Sequence, residues 1–321
     1  MKKKKIVDRA GWLALLNRKE KMLYAMYSSV TDCIVTDPAV MVIPVDDHMV
    51  HRGDGVFESF KCLDGNLYNL RAHLDRLQHS CAALDIPCTH ALEEIEQVVI
   101  QTVRAGNQPN ALVRLLISRG CGTMGVNPYD CTDPEWYVVV YELPPRDAST
   151  LPEGATLGIS KIAVKPGIFA TVKTCNYLPN ILMKKEAIDL GLDFTVSIDE
   201  KRNIAEGAVE NIGIVTRGHE LVMPPPDRVL AGTTAQRTMA LAEKLVETRA
   251  LVNVEYRPVT MGMLRAAVEV HMYGTTTNIT PIIALDGIPV GNGKVGPVAT
   301  ALFDLLKEDM VPDSSRLTKV F

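Results

Sequence analysis

The segment PPRDASTLPEG, residues 144–154, constrains this chain more than any other stretch. Prolines, a glycine and polar residues separate two long regions rich in apolar runs, a composition that ends regular structure and joins packed units. With 321 residues the chain is long for one small core and of ordinary length for two. The break therefore predicts an N-terminal α+β unit over 1–142, a linker over 143–155 and a larger C-terminal α/β unit over 156–321. Two packed units imply a cleft between them.

Periodicity fills in both halves. A mixed amphipathic spacing predicts a helix within 12–28, and CIVT and VMVIPV at 33–36 and 40–45 look extended. HRGDGVFESF at 51–60 reads as two glycines followed by an alternating strand, with LDGN at 63–66 as its hairpin turn. Helical spacing returns over 67–86 and 92–106, and ALVRLLISRG and EWYVVVYELPP add strands. Beyond the linker, TLGISKIAV and FTVSI suit strands; NILMKKEAIDLG, AQRTMALAEKLVETRA and a stretch near 260–269 suit helices. Glycine-containing joins at 206–213, 230–235 and 273–280 can converge after folding.

Charge excludes several functions. Acidic residues number 38 against 34 basic ones, a net charge of -4 that predicts neither a nucleic-acid nor a membrane partner. No run of 18 apolar residues suggests a membrane span. The opening MKKKK reads as an exposed start, and WLALL at 12–16 is short for a secretory signal. Seven scattered cysteines leave one over and fit reduced thiols in a cytoplasmic compartment. Neither a paired C-x-x-C arrangement nor H-E-x-x-H is present, so no metal site is expected.

The chemistry-bearing candidates lie at junctions. In TVKTCNYLPN, Lys173 follows a strand-like run and precedes a helix. Its amine either stays in solvent or points into the cleft, where desolvation makes it a nucleophile able to bond a carbonyl cofactor. Glu206 sits at a tight turn beside Gly207, either as a surface carboxylate or as the partner of a pyridine nitrogen. Arg76, in LRAHLDRLQHS, belongs to a solvated helix face or, turned inward, offers a planar multidentate donor. LAGTTAQRT and YGTTTNITP place Thr233, Thr234, Thr275 and Thr276 at glycine turns. Those threonines either cap local backbone or cradle a phosphate.

In order, RGDGVFESF, LRAHLDRL, SRGCGTMGVNP, VKTCNYLPNILMKKEA, NIAEGAVENIGIV, LAGTTAQRT and YGTTTNITPI resemble the class IV aminotransferases. This is the fold-type IV pyridoxal-phosphate family of branched-chain and D-amino-acid aminotransferases and aminodeoxychorismate lyase, and the likeness spans about residues 40–300. It implies a two-domain fold with the cofactor cleft between domains and pyridoxal 5'-phosphate as cofactor. It also implies a homodimer whose loops complete each other's site. Lys173 then resembles the cofactor-linking, proton-transferring lysine, Glu206 the ring-nitrogen partner and Arg76 the phosphate anchor. Thr233, Thr234 and Thr275 resemble further phosphate donors. Thr276 resembles a donor near the substrate carboxylate, and Tyr177 either a cofactor contact or a core aromatic.

Substrate signals divide. Phe57, Arg114, Arg119 and Val126 are candidate substrate contacts; Phe57 could instead fill a core, Arg114 reach the surface and Arg119 stabilise a turn. TMGVNP at 123–128 is similar to the branched-chain aminotransferase pattern, whereas the K-T-C-N spacing at 173–176 is closer to the D-amino-acid and lyase branches. The favoured expectation is exchange of an amino group between a branched-chain or other apolar amino acid and 2-oxoglutarate. The alternatives are aminodeoxychorismate lyase, D-amino-acid aminotransferase and a non-catalytic vitamin-B6-binding regulator.

Overall fold

The computed structural model describes residues 5–15, 22–144, 151–311 and 314–321. The first sheet has seven strands, all antiparallel, in the order Leu317–Lys319, Asn66–Tyr68, Gly55–Leu63, Ala111–Ser118, Glu135–Glu142, Leu23–Ser28 and Cys33–Val35. Its central pair runs from Gly55 opposite Ser118 to Cys62 opposite Ala111. The turn after Gly55–Leu63 is the expected hairpin: Leu63 pairs with Asn66, and Asp64 and Gly65 take the positive φ values, 47° and 78°, that a tight two-residue turn needs.

Helices Leu70–Ala83 and Leu92–Gly106 cover this sheet. In the second, Leu92, Ile95, Val99, Ile100 and Val103 recur at helical spacing and all enter the core. Glu93 and Glu94 occupy its first turn and Arg104 its last, each favourable to the helix dipole, and Asn107 ends it at φ 50°.

The second sheet holds ten strands. Six of them, Asn211–Val215, Glu269–Gly274, Asn278–Leu285, Ala155–Ile159, Phe194–Ile198 and Asn203–Gly207, close into a ring because Asn211 also pairs with Glu206. Alternate residues serve opposite faces. Ile212 and Ile214 pack with Leu157, Val196 and Met272, while Val215 joins Met239, Leu245 and Leu302 under the helices Thr233–Glu247 and Pro297–Glu308. No described helix is long and apolar enough to cross a membrane.

Some elements differ from the sequence expectations. The helix expected within 12–28 is confined to Arg9–Leu15, while Leu23–Ser28 is a strand paired on both sides; residues 16–21 lie outside the described ones. Cross-strand burial of Ala25, Met26 and Tyr27 outweighs local helical spacing there. VMVIPV is not a strand: Asp37 caps a 3-10 turn at Pro38–Val40, and Pro44 lacks the N–H that a ladder needs. Of the expected linker, 145–150 lie outside the described residues, as does the opening MKKK; the second sheet begins at Ala155. The chain end returns to the first sheet, where Leu317–Lys319 pairs with Asn66–Tyr68 and the Val320 N–H donates to Gly65 O.

Candidate active site

The two sheets meet at the residues around Lys173. The short helix Ile168–Thr171 ends in extended backbone at Val172, and the next residues run along the Gly55–Leu63 strand. Phe57 N–H donates to Lys173 O at 2.9 Å, and Cys175 N–H to Gly55 O at 2.8 Å. Pro179, near the start of helix Leu178–Asp189, helps set the turn that follows. The lysine is thereby held by the first sheet while its chain continues into the second.

Its side chain points inward. Lys173 is buried, with Nζ 3.4 Å from the Tyr177 hydroxyl and 4.7 Å from the Phe57 ring centroid. That hydroxyl is the amine's one hydrogen-bond partner among the described residues, against three N–H donors. Burial, helped by the Arg76 charge, brings its pKa down from 10.5 to about 8, although Glu58 and Glu206 pull the other way. An amine so placed is partly unprotonated near neutral pH and is a competent nucleophile and base.

Glu206 lies at the ring closure, buried, and its Oε2 accepts from Leu230 N–H at 3.1 Å. Burial pushes its carboxyl up; Lys165, the Leu230 N–H, Lys173 and Arg76 oppose that shift. The three glycine joins do converge. Asn211 pairs with Glu206 and Tyr273, and its Nδ2 donates to Leu230 O at 2.8 Å.

Next to this junction, Gly232 starts helix Thr233–Glu247 with no side chain capping its first N–H groups. A β-carbon at Gly232 would overlap the Asn211 side chain, so this close approach requires glycine. Thr233 and Thr234 are buried at the helix start. Thr275 is half-buried and Thr276 exposed in the turn after Glu269–Gly274, while Thr277, not singled out in the sequence, has a buried hydroxyl without a partner among the described residues.

Arg76 is turned inward rather than solvated. Its Nε and Nη2 donate to the two oxygens of buried Glu58 at 2.7 and 2.6 Å, and Nη1 donates to Ala231 O at 3.0 Å. Three of five guanidinium donors are thus engaged, leaving two. Glu58 also faces His73, whose Nδ1 lies 2.7 Å from Oε2 and whose Nε2 lies 3.2 Å from Thr233 Oγ1. Burial alone would raise the Glu58 carboxyl, but Arg76 and His73 together bring it to about 2. Neither Glu58 nor the role of His73 stood out in the sequence; the only signal was a glutamate among the apolar residues of GVFESF.

Phe57 contributes the wall between two cationic groups. The Arg114 guanidinium lies 5.0 Å from its ring centroid, and Tyr177 packs edge-on at 5.1 Å. Arg114 is exposed and reaches Ser59 Oγ and the Tyr141 hydroxyl at 3.3 and 3.4 Å. Arg119 donates from Nε to Asp54 at 2.7 Å and from its other two nitrogens to the carbonyls of Leu84 and Asp85. With Val126, Arg52, Thr174 and Asn176 it lines a second pocket of about 320 Å³. Val126 is 80% exposed. Among the described residues no group of three or more His, Cys, Asp or Glu side chains could hold a metal.

A buried amine, a carboxylate across the junction and an uncapped helix start beside an arginine suit a ligand that carries a carbonyl, a basic ring nitrogen and a phosphate. The profile of the family described as Amino-transferase class IV matches residues 55–285, which include all of these groups. The chain belongs to the class IV aminotransferases. This fold-type IV pyridoxal-phosphate family has the mixed α/β, two-domain architecture with a barrel-like sheet described above. The chain is 42% identical over 296 residues to a chloroplastic D-amino-acid transaminase of Arabidopsis thaliana, covering 92% of this chain and 79% of that protein. It is 32% identical over 268 residues to a putative branched-chain-amino-acid aminotransferase of Methanocaldococcus jannaschii, covering 83% and 90%. The T.th. branched-chain amino acid aminotransferase, solved with pyridoxamine 5'-phosphate, superposes at TM-score 0.84 with 27% identity, covering 93% and 99%. A 4-amino-4-deoxychorismate lyase from Pseudomonas aeruginosa superposes at 0.75 with 25% identity, covering 89% and 99%.

Proposed function

We propose that this class IV aminotransferase binds pyridoxal 5'-phosphate and moves an amino group between a branched-chain or other apolar amino acid and 2-oxoglutarate. The observation that carries the substrate reading is the sharing of one ring: Phe57 has the Lys173 amine 4.7 Å from its centroid and the Arg114 guanidinium at 5.0 Å. An apolar side chain packs against that wall. A dicarboxylate places its second carboxylate at the guanidinium, which suits planar bidentate recognition.

Bound pyridoxal phosphate supplies an aldehyde that bonds amines and a ring that accepts the electrons of a broken Cα–H bond. The protein supplies the rest. Lys173 Nζ would hold the cofactor and, once substrate has freed it, would take the proton from the substrate Cα and deliver it to the cofactor carbon two atoms along, beyond the shared nitrogen. Glu206 holds a proton at the ring nitrogen and so favours the electron-accepting state. Arg76, with its two remaining donors, and the Thr233, Thr234 and Thr275 sites hold the phosphate, while Tyr177 borders the lysine. Thr276 lies on the carboxylate side of the substrate. Arg119 and Val126 border substrate through the second pocket.

The proposal extends to a cytoplasmic homodimer, the compartment supported by seven free cysteines. Met124, Val126 and Tyr129 are exposed apolar groups on one loop, Tyr129 at 92%, and a partner subunit would cover them. The likeness to the Arabidopsis D-amino-acid transaminase favours a second reading, in which D-amino acids are the donors.

Both are tested by one panel: L- and D-forms of valine, leucine, isoleucine and alanine with 2-oxoglutarate, following glutamate formation and its configuration. Glutamate formed from L-branched-chain donors supports the first reading, and turnover confined to D-donors supports the second. Pyruvate release from aminodeoxychorismate without amino exchange overturns both in favour of a lyase.

A further inference from the structure

The phosphate anchor carries a charge and a hydrogen-bond problem that His73 solves. Glu58 grips Arg76 through both oxygens, so this pair presents no net charge to an incoming phosphate dianion. The ionised Glu58 carboxylate can only accept, so His73 Nδ1, at 2.7 Å, carries a hydrogen. In a neutral imidazole Nε2 is then an acceptor, and the Thr233 hydroxyl, at 3.2 Å, must donate its only hydrogen to it. The resting Thr233 therefore has lone pairs, and no O–H, to offer a phosphate. Rotating the hydroxyl away would leave Nε2 buried without a partner, since His73 is 2% exposed.

Resting on the reading that the Thr233–Glu247 helix start holds a phosphate, we propose that phosphate-ester binding is coupled to proton uptake by His73. Protonated, His73 donates from Nδ1 to Glu58 and from Nε2 to Thr233, which frees the Thr233 O–H for a phosphoryl oxygen. The proton also changes the charge of the Arg76–Glu58–His73 cluster from zero to +1. No bond to carbon or phosphorus changes; one proton moves from solvent to Nε2.

The groups packed against His73 fit this switch. Glu58 and Phe60 face it from the Gly55–Leu63 strand, the Phe60 ring at 5.5 Å. Arg76 shares its helix, Lys173 acts from the junction and Thr233 from the start of helix Thr233–Glu247. Burial keeps the free imidazole neutral, and Arg76 and Lys173 add to that while Glu58 opposes it. A dianion arriving at Thr233 reverses the balance. His73 is thus a positioning residue: it acts on phosphate through Thr233.

The test uses the full chain at pH 8 and pyridoxine 5'-phosphate, which carries the phosphate and ring without the aldehyde. Histidine ¹⁵N spectra, with His73 assigned from His73→Gln, are expected to show the neutral Nδ1–H tautomer in the free protein and a doubly protonated ring when bound. Calorimetry in two buffers of different ionisation enthalpy is expected to show about one proton more taken up by the wild type than by His73→Gln. Wild-type affinity should also fall up to about tenfold per pH unit above pH 8 relative to the variant. Binding with His73 still neutral overturns the coupling and leaves the functional reading standing. Absence of binding even at saturating ligand overturns that reading and this one together. Should His73→Gln fail to fold, the wild-type ¹⁵N spectrum decides alone, assigned through the His73 shift caused by Thr233→Val.

Discussion

Arg76 meets Glu58 through both carboxylate oxygens, at 2.7 and 2.6 Å, inside a site where Glu58 has no solvent exposure. Removing the anion strands two cation-forming groups. Glu58→Ala is expected to lower the unfolding free energy of the cofactor-free protein by about 3–5 kcal/mol at pH 7, read by urea denaturation. The contribution has a pH signature. The folded carboxyl titrates at about 2 and its ordinary value is 4.5, so its stabilisation is complete above 4.5 and is lost as pH falls toward 2. The gap between wild type and Glu58→Gln should narrow across that interval.

Lys173 and Arg76 should fail in different ways. Lys173→Ala should abolish turnover and the visible, borohydride-sensitive band of lysine-linked pyridoxal phosphate, while leaving non-covalent binding. Arg76→Ala should retain the band at saturating cofactor and weaken affinity roughly 10- to 100-fold, the range of one or two charge-assisted hydrogen bonds. Absorbance titrations of the two variants distinguish these outcomes.

Keeping an amine in this cleft costs stability. The folded amine loses its proton near 8 and the unfolded one near 10.5, so between these values the unfolded chain holds more protons and wild-type stability rises with pH. Lys173→Met is therefore expected to be the more stable cofactor-free protein by roughly 3 kcal/mol at pH 7. That advantage should shrink from pH 8 upward. Equal denaturation midpoints at pH 7 and 10 would remove the assigned desolvation.

Arg114 should matter for one substrate of the pair. Arg114→Leu is expected to raise KM for 2-oxoglutarate roughly 10- to 100-fold and to change KM for an apolar amino acid by less than about threefold. An equal effect on both would place Arg114 in the scaffold.

Much of this site is legible in the sequence because family motifs sit at turns, where glycine and threonine have few other reasons to cluster. Lys173 and the Thr233 turn are readable in that way, whereas Glu206, expected at a tight turn, lies on the strand Asn203–Gly207; the structure brings the three segments to one junction. Glu58 is not legible: in GVFESF it occupies a strand position whose partners, Arg76 and His73, come from the next helix. Leu23–Ser28 escapes for a related reason, since its state is decided by pairing with Tyr137–Tyr141, more than a hundred residues away. Thr277 is hidden by Thr275 and Thr276 beside it; only the three-dimensional burial of its hydroxyl separates them.

The return of Leu317–Lys319 to the edge of the first sheet restricts how the protein can open. The ring-bearing lobe departs after Glu135–Glu142 and comes back four strands away, a separation of about 20 Å at ordinary strand spacing. A body fastened at two such points cannot swivel like a jaw on a single pin. It can rock only about the line through both attachments, so substrate entry falls to side chains and surface loops, and trimming the segment from Leu317 onward should loosen the cleft from a distance.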